Sequence, residues 1–322
     1  MERTNTSETS SFAADLNFRK MNSFLLHKLF KIKFILFALL IFGSLSLHAQ
    51  SSGSCTMSGP GLNVYYIPVL TIPDGEMLCY NVMGYQDNFT IGQLTMGKNS
   101  KLYVGPDFRL MIDDLSSTAG NDIEIEVDGT LQFKNTPPDF KSNLSLLVNE
   151  NGMVSSGDGL NNIKFSGNGS NNIINYGQIT ASVVTFQGSS STNIIENSGF
   201  MNIGSNLNLE NTTTQIRNTG DLHIGQSFNG NNKTNYVNCG YIETGTSFNL
   251  QGGLVVNTGV FNSLGGSIDF GTNTARFENY GEVNVVGINL GGSGSSIYNQ
   301  GVFNLSGKFQ NNGNFEDFFV QD

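Results

Sequence analysis

Acid–base or nucleophilic chemistry needs an imidazole or closely paired carboxylates, and this sequence offers few of either. Of its three histidines, His27 and His48 lie in an N-terminal segment that reads as a removable leader. His223 is left, between Leu222 and Ile224 in an alternating run. On a strand its neighbours face inward and it faces solvent. Any Ser/His/Asp or Cys/His site would depend on it alone, and no nucleophile-elbow turn accompanies it. Asp113-Asp114 is the adjacent Asp pair of the repeat region. Such a pair can bind calcium or do acid–base work, but a turn before Leu115-Ser116-Ser117-Thr118 accounts for it at a strand end. Asp122, Glu124, Glu126 and Asp128 alternate and share one strand face. That outward acidic stripe can hold a cation, and a solvated face explains it more simply. Asp158 stands between two glycines, as in a turn. Gly291-Gly292-Ser293-Gly294 lacks the Asp of calcium-binding nonapeptide repeats. No glycine-rich stretch separates a strand from a helix, where it would cradle phosphate. The expectation is therefore no catalytic, cofactor or metal site.

Cysteine use bears on compartment. Cys55, Cys79 and Cys239 have no metal-site spacing. An exported setting permits disulfides, and Cys55 with Cys79 is the candidate pair, stapling the N-terminal segment. Cys239 sits in a repeat turn and reads as a free thiol. Export itself is expected from the N-terminus. Lys28, Lys31 and Lys33 precede an apolar run from Phe34 to Leu47, and Leu47-His48-Ala49 offers a small residue for cleavage before Gln50. A basic region, a short apolar region and a cleavage site make a secretory signal peptide. The apolar run is short of the 18 or more residues of a membrane span. Residues 1–20 are polar, and Met21 would begin a signal peptide of ordinary length. Cys55 lacks the upstream apolar residue that a lipid-attachment box requires.

The chain has 16 Lys/Arg and 26 Asp/Glu, of which 6 and 3 lie in residues 1–49. The remaining 10 and 23 give a net charge near −13. That balance argues against nucleic acid and anionic membrane surfaces as partners, which demand basic patches.

The elements that would position any site come from an internal repeat. Asn-x-Gly recurs at Asn175/Gly177, Asn197/Gly199, Asn218/Gly220, Asn238/Gly240, Asn257/Gly259, Asn279/Gly281 and Asn299/Gly301. The glycine spacings are 22, 21, 20, 19, 22 and 20. Aligned on that glycine, apolar columns appear. Ile179, Met201, Leu222, Ile242, Phe261, Val283 and Phe303 follow it by two residues. Ile173, Ile195, Ile216, Tyr236, Val255, Phe277 and Ile297 precede the Asn by two. Between these lie segments such as Leu207/Leu209 and Phe248/Leu250, with an outward polar column of Asn208, Asn229, Asn249, Asp269 and Asn289.

Alternation with period two means strands with one face inside. The pattern predicts an all-β, right-handed parallel β-helix of about 20–23 residues and three short strands per coil, the wandering spacing arguing against a strict hexapeptide form. Gly is expected to supply a positive φ at the turn. Asn is expected to tolerate left-handed conformations and to stack its amide coil upon coil. Residues 88–322 read as the repeats, ending in a short cap or a truncation. Residues 50–87, with Pro60, Pro68 and Pro73, read as an irregular N-terminal cap that blocks edge pairing.

The Asn-x-Gly coils with Phe/Leu-Asn-Leu strands resemble the β-helical repeats of secreted adhesin-like proteins of Gram-negative bacteria and, more broadly, the pectin-lyase-like superfamily. The resemblance covers roughly residues 88–315. It implies a secreted or outer-surface structural or adhesin-like protein; the partner is left open, with extracellular glycans or surface proteins as candidates. Pectin-degrading relatives carry clustered Asp with Arg, Lys or His, which the short turns here do not offer, so no catalytic residue carries over. The expectation is a non-enzymatic protein. A glycan-binding module, with outward Tyr176, Tyr280 and Tyr298 stacking on sugars, is the alternative, and a polysaccharide lyase or hydrolase a more distant one.

Overall fold

The computed structural model describes residues 55–58, 66–80, 88–117, 122–136, 138–141, 143–157, 162–188, 192–210, 212–231, 233–271, 274–291, 294–311 and 314–316. The leader with its Ala49-Gln50 junction, Asp158, Gly292-Ser293 and the tail from Asp317 lie outside them. The described residues belong to one unit, Ser54–Asp322. Their regular structure is strand throughout, paired in parallel as a β-solenoid with about three strands per coil.

Three ladders run along the stack. The first is built from strands after each glycine, among them Gln178–Ala181, Phe200–Ile203, Asp221–Ile224 and Tyr241–Thr244. The second stacks Val184–Gln187, Leu207–Glu210, Ser227–Gly230 and Ser247–Leu250. The third is a 13-stranded sheet of segments that end in the repeat Asn, such as Thr213–Asn218 and Thr234–Asn238. The first two join in a 19-stranded sheet, because strands such as Val260–Phe270 and Glu282–Leu290 run through the corner between them.

Register follows the apolar columns. Ile195 pairs with Ile216, then Tyr236, Val255, Phe277 and Ile297, and all of these are buried. In the second ladder Phe165 stacks on Phe186 with ring centroids 4.4 Å apart, and Phe228 on Phe248 at 4.3 Å. Burial of these rows removes one face of the strands inside the stack from water, which sets the register: a one-residue slip would expose the whole row. Thr244 and Ser263, the polar exceptions in an inward column, are buried too.

Three expectations are corrected. The ladders start before residue 88. Tyr66–Ile72 pairs with Asn88–Met96, and Met77–Tyr80 with Ser100–Val104. Pro68 fits because, among the described residues, it lies in the outermost strand of the first ladder, where a missing N–H is tolerated. Asp113 and Asp114 sit within the strand Arg109–Ser117, not at its end, where that strand crosses the corner between the first two ladders.

The third correction concerns the turn. None of the seven repeat glycines (Gly177, Gly199, Gly220, Gly240, Gly259, Gly281 and Gly301) has a positive φ, and none of the seven Asn does. The corner is made by bonding between coils. The Asn175 carbonyl accepts from both Ser198 N (2.8 Å) and Gly199 N (3.0 Å), and the Asn197 carbonyl from Thr219 N (2.7 Å) and Gly220 N (3.1 Å). This brings each glycine so close to the coil before it that a Cβ would overlap a carbonyl oxygen. On Gly177 it would meet Gly152 O, and on Gly199 Gly177 O. The series continues with Gly220 against Gly199 O, Gly240 against Gly220 O and Gly259 against Gly240 O. It ends with Gly281 against Gly259 O and Gly301 against Gly281 O. The glycine is needed for close approach, not for a left-handed turn. A second glycine column has the same basis at the corner between the first two ladders: a Cβ on Gly225 would overlap Gly204 O, one on Gly245 Gly225 O, and one on Gly265 Gly245 O. Its spacing parallels the first, five or six residues later, and could have been read from the sequence.

Candidate functional site

The repeat Asn side chains are inside the solenoid. Asn175, Asn197, Asn218, Asn238, Asn257, Asn279 and Asn299 are almost wholly buried. Each of the first six Nδ2 groups donates to the Oδ1 of the Asn in the next coil, at 2.7, 2.7, 2.9, 2.8, 2.8 and 2.7 Å along the series. Each amide of the first six also donates to a carbonyl in the next coil, for example Asn218 to Tyr241 O (2.8 Å) and Asn279 to Val302 O (2.9 Å). A carboxamide has both a donor and an acceptor end, so it can repeat this pattern indefinitely. The column begins abruptly: Val148 pairs with Asn175, and Asn175 Oδ1 is buried without a donor. This row is a packing device. It presents no nucleophile and no titrating group.

The outward faces carry the remaining chemistry. On the second ladder, Asn229 donates to Asn208 and Asn249 to Asn229, both at 2.8 Å. Asp269 continues that row, and burial holds its carboxyl above the usual range, offset by a hydrogen bond with Asn289. On the first ladder the outward residues form a mixed track. Phe200, His223 and Tyr241 lie on three successive rungs with ring centroids 5.3 Å apart on either side of His223. Tyr241 donates its hydroxyl to Glu243 and accepts from Asn262 Nδ2 (3.1 Å). Asn284 donates to Asn262 (2.8 Å), and Asn304 to Asn284 (2.7 Å). The three amides and Tyr241 thus form one directed chain of donors ending on the Glu243 carboxylate. His223 is outward, as its alternation requires, but half-buried between its ring neighbours.

The other sequence candidates are placed as follows. Glu124, Glu126 and Asp128 share an outward face of the third ladder with Lys101, Tyr103 and Asn149. Lys101 Nζ lies 2.7 Å from Glu124, Tyr103 donates to Asp128 (2.6 Å), and Asn149 donates to both Glu126 and Asp128. Burial raises the Glu126 carboxyl, the Asn149 bond partly reverses this, and the neighbouring carboxylates add to the rise. Among the described residues no three His, Cys, Asp or Glu converge as a metal site. Cys55 and Cys79 form a disulfide, with Cα atoms 5.7 Å apart, joining the strands Met57–Ser58 and Met77–Tyr80. Cys239 is a free, exposed thiol.

Of the three tyrosines, Tyr280 and Tyr298 meet edge to face at 5.9 Å, with the Tyr280 hydroxyl donating to Glu278 (3.0 Å). Tyr176 shares the turn column with Tyr280 but lies five coils away, about 24 Å at 4.8 Å per coil. The structure therefore brings two of the three together. Sequence reasoning missed the first-ladder track, since its members lie about 20 residues apart and only the register joins them.

Comparison with protein-family models, curated proteins and solved structures gives no match to this chain. Among the described residues, no helix is long and apolar enough to cross a membrane.

Proposed function

We propose that the chain is an exported structural protein of the cell surface, adhesin-like and without catalytic activity. The observation that carries this reading is the buried Asn row: six amide-to-amide bonds in register, spanning seven coils. A chain that devotes its most regular residues to joining coils, and surrounds them with amides and hydroxyls, is suited to persist and present a surface. The basic and apolar segment before Ala49-Gln50 supports export, and the disulfide between Cys55 and Cys79 fits an oxidising compartment. Surface labelling of intact cells, with N-terminal sequencing of the labelled protein, tests the proposal. A labelled chain beginning at Gln50 is expected. A full-length chain confined to the cytoplasm would overturn it, and release of cleaved product from acidic or neutral glycans would overturn its non-enzymatic part.

A second reading is a glycan-binding module. The observation favouring it is aromatic rings held beside carboxylates at the surface, as in the Tyr280–Tyr298–Glu278 group.

A further inference from the structure

We infer that the outward face of the first ladder, from Phe200 to Asn304, binds a neutral, extended polysaccharide along the axis of the stack. The inference rests on the glycan-binding reading and gives it a face and a ligand class. Three observations carry it.

The first is the aromatic end. Phe200 is exposed, and His223 and Tyr241 are half-exposed on the next two rungs. Rings set on a strand face offer apolar surface to the C–H faces of a sugar, and tyrosine adds a polar handle. The Tyr241 hydroxyl is already held by Glu243 and Asn262, so the ring is fixed before any ligand arrives, which lowers the cost of ordering it.

The second is the amide end. Asn262, Asn284 and Asn304 continue the outward column of His223 and Glu243 on the following rungs, beside the column that carries Phe200 and Tyr241. Asn284 spends both amide hydrogens, on Asn262 and Glu282, while Asn262 and Asn304 each spend one within the row and present the other, with an acceptor oxygen, to sugar hydroxyls. From Asn202 to Asn304 this column crosses five coil intervals, about 24 Å. The surface is the flat side of a sheet. It suits an extended chain that makes many modest contacts, not a single enclosed sugar.

The third is charge. The outward columns of this face carry Asp221, Glu243 and Glu282, with no Lys or Arg from Thr130 to Asn304. Carboxylates repel uronates, sulfated glycans, nucleic acids and anionic lipid, while they accept hydrogen bonds from neutral hydroxyls. The ligand that this face admits is therefore uncharged. The Tyr280–Tyr298 group lies on the third ladder and its adjoining turn, a different side of the coil.

Affinity gel electrophoresis of the full chain tests the inference, with hydroxyethylcellulose and soluble starch as neutral probes and polygalacturonate and alginate as acidic ones. Retardation by at least one neutral polymer is expected, with none by the acidic pair. Phe200→Ala and Tyr241→Ala should each weaken it at least tenfold, while Tyr241→Phe keeps most of it. Circular dichroism of each variant checks that the solenoid is intact, and Phe200→Leu, which keeps apolar bulk without a ring, serves if Phe200→Ala fails to fold. Equal or stronger retardation by the acidic polymers would overturn the inference. So would retardation unchanged in the Phe200 and Tyr241 variants. Loss in Tyr176→Ala or Tyr280→Ala alone would sink this face while leaving the glycan-binding reading standing. Absence of retardation by all four polymers would remove both.

Discussion

Truncating one member of the buried amide row should cost far more in its middle than at its end. Asn218 accepts from Asn197 (2.7 Å) and donates to Asn238 Oδ1 (2.9 Å), to the Tyr241 carbonyl (2.8 Å) and, as Asn299 does to Gly301, to the Gly220 carbonyl of its own coil (3.0 Å). Asn218→Ala leaves the Asn238 Oδ1 and the Tyr241 carbonyl without that donor. It also leaves the Asn197 amide with its bond to the Asp221 carbonyl (2.9 Å) but no side-chain acceptor. A buried polar group left unpaired costs about 1–3 kcal/mol, so the two acceptors that lose their donor give about 2–6 kcal/mol. Asn299 accepts from Asn279 (2.7 Å) and donates to Gly301 O (3.2 Å). Asn279 keeps its bond to Val302 O (2.9 Å) when Asn299 is cut back, so Asn299→Ala should cost about 1–2 kcal/mol. Urea unfolding followed by circular dichroism measures both, with unchanged slopes showing that the comparison is fair. A double-mutant cycle adds the sharper test. Asn218 and Asn238 share one bond, so the double Ala variant should cost less than the two singles together by about 1–2 kcal/mol. If the Asn residues acted one at a time, as local turn formers, the costs at 218 and 299 would be equal and the cycle additive. That outcome would refute the reasoning.

Further predictions follow from the corner, the disulfide and the outward row. Gly240→Ala should destabilise by about 1–3 kcal/mol or more, because its Cβ overlaps the Gly220 carbonyl and the coils must part. Gly240→Asn should fare no better, and a clear rescue by Asn in thermal melts would restore the left-handed explanation. Cys55→Ala opens a bridge with a sequence separation of 24, worth about 3–4 kcal/mol in the chain-entropy view. The loss should be local, seen as early proteolysis of the first rungs with the later coils still protected, whereas uniform digestion would contradict nearest-neighbour stacking. Asp269→Asn should raise the melting temperature at pH 7 and leave it unchanged at pH 3. The Asp269 carboxyl is raised by burial, so the folded state holds its proton more tightly. Its contribution is fully present below the unfolded value and is lost as pH rises through the folded one. An equal shift at both pH values would exclude this cause.

By itself the sequence determined the strand faces and the coil. Alternation separated Ile216 and Ile224 from their outward neighbours, and the Asn-x-Gly interval divided the chain into stackable units, because side-chain direction has period two and each coil repeats one cross-section. It also singled out the seven Asn and seven Gly. The stacking of the Asn amides was legible as well; what the sequence could not decide was that this row lies inside and that the glycines answer to a carbonyl one coil away, since both depend on atoms of the neighbouring coil. The Asn amides turn inward because they find amide partners 20 or so residues distant, and the glycines are required by a carbonyl of the preceding coil, not by their own φ. The same holds for the outset of the ladders at Tyr66 and for the Cys55–Cys79 bridge. It holds as well for the track of Phe200, His223 and Tyr241, whose separations of 23 and 18 residues carry no visible period. Register between coils is a tertiary quantity. It is set by burying all three inward rows at once, and only that common constraint brings these side chains side by side.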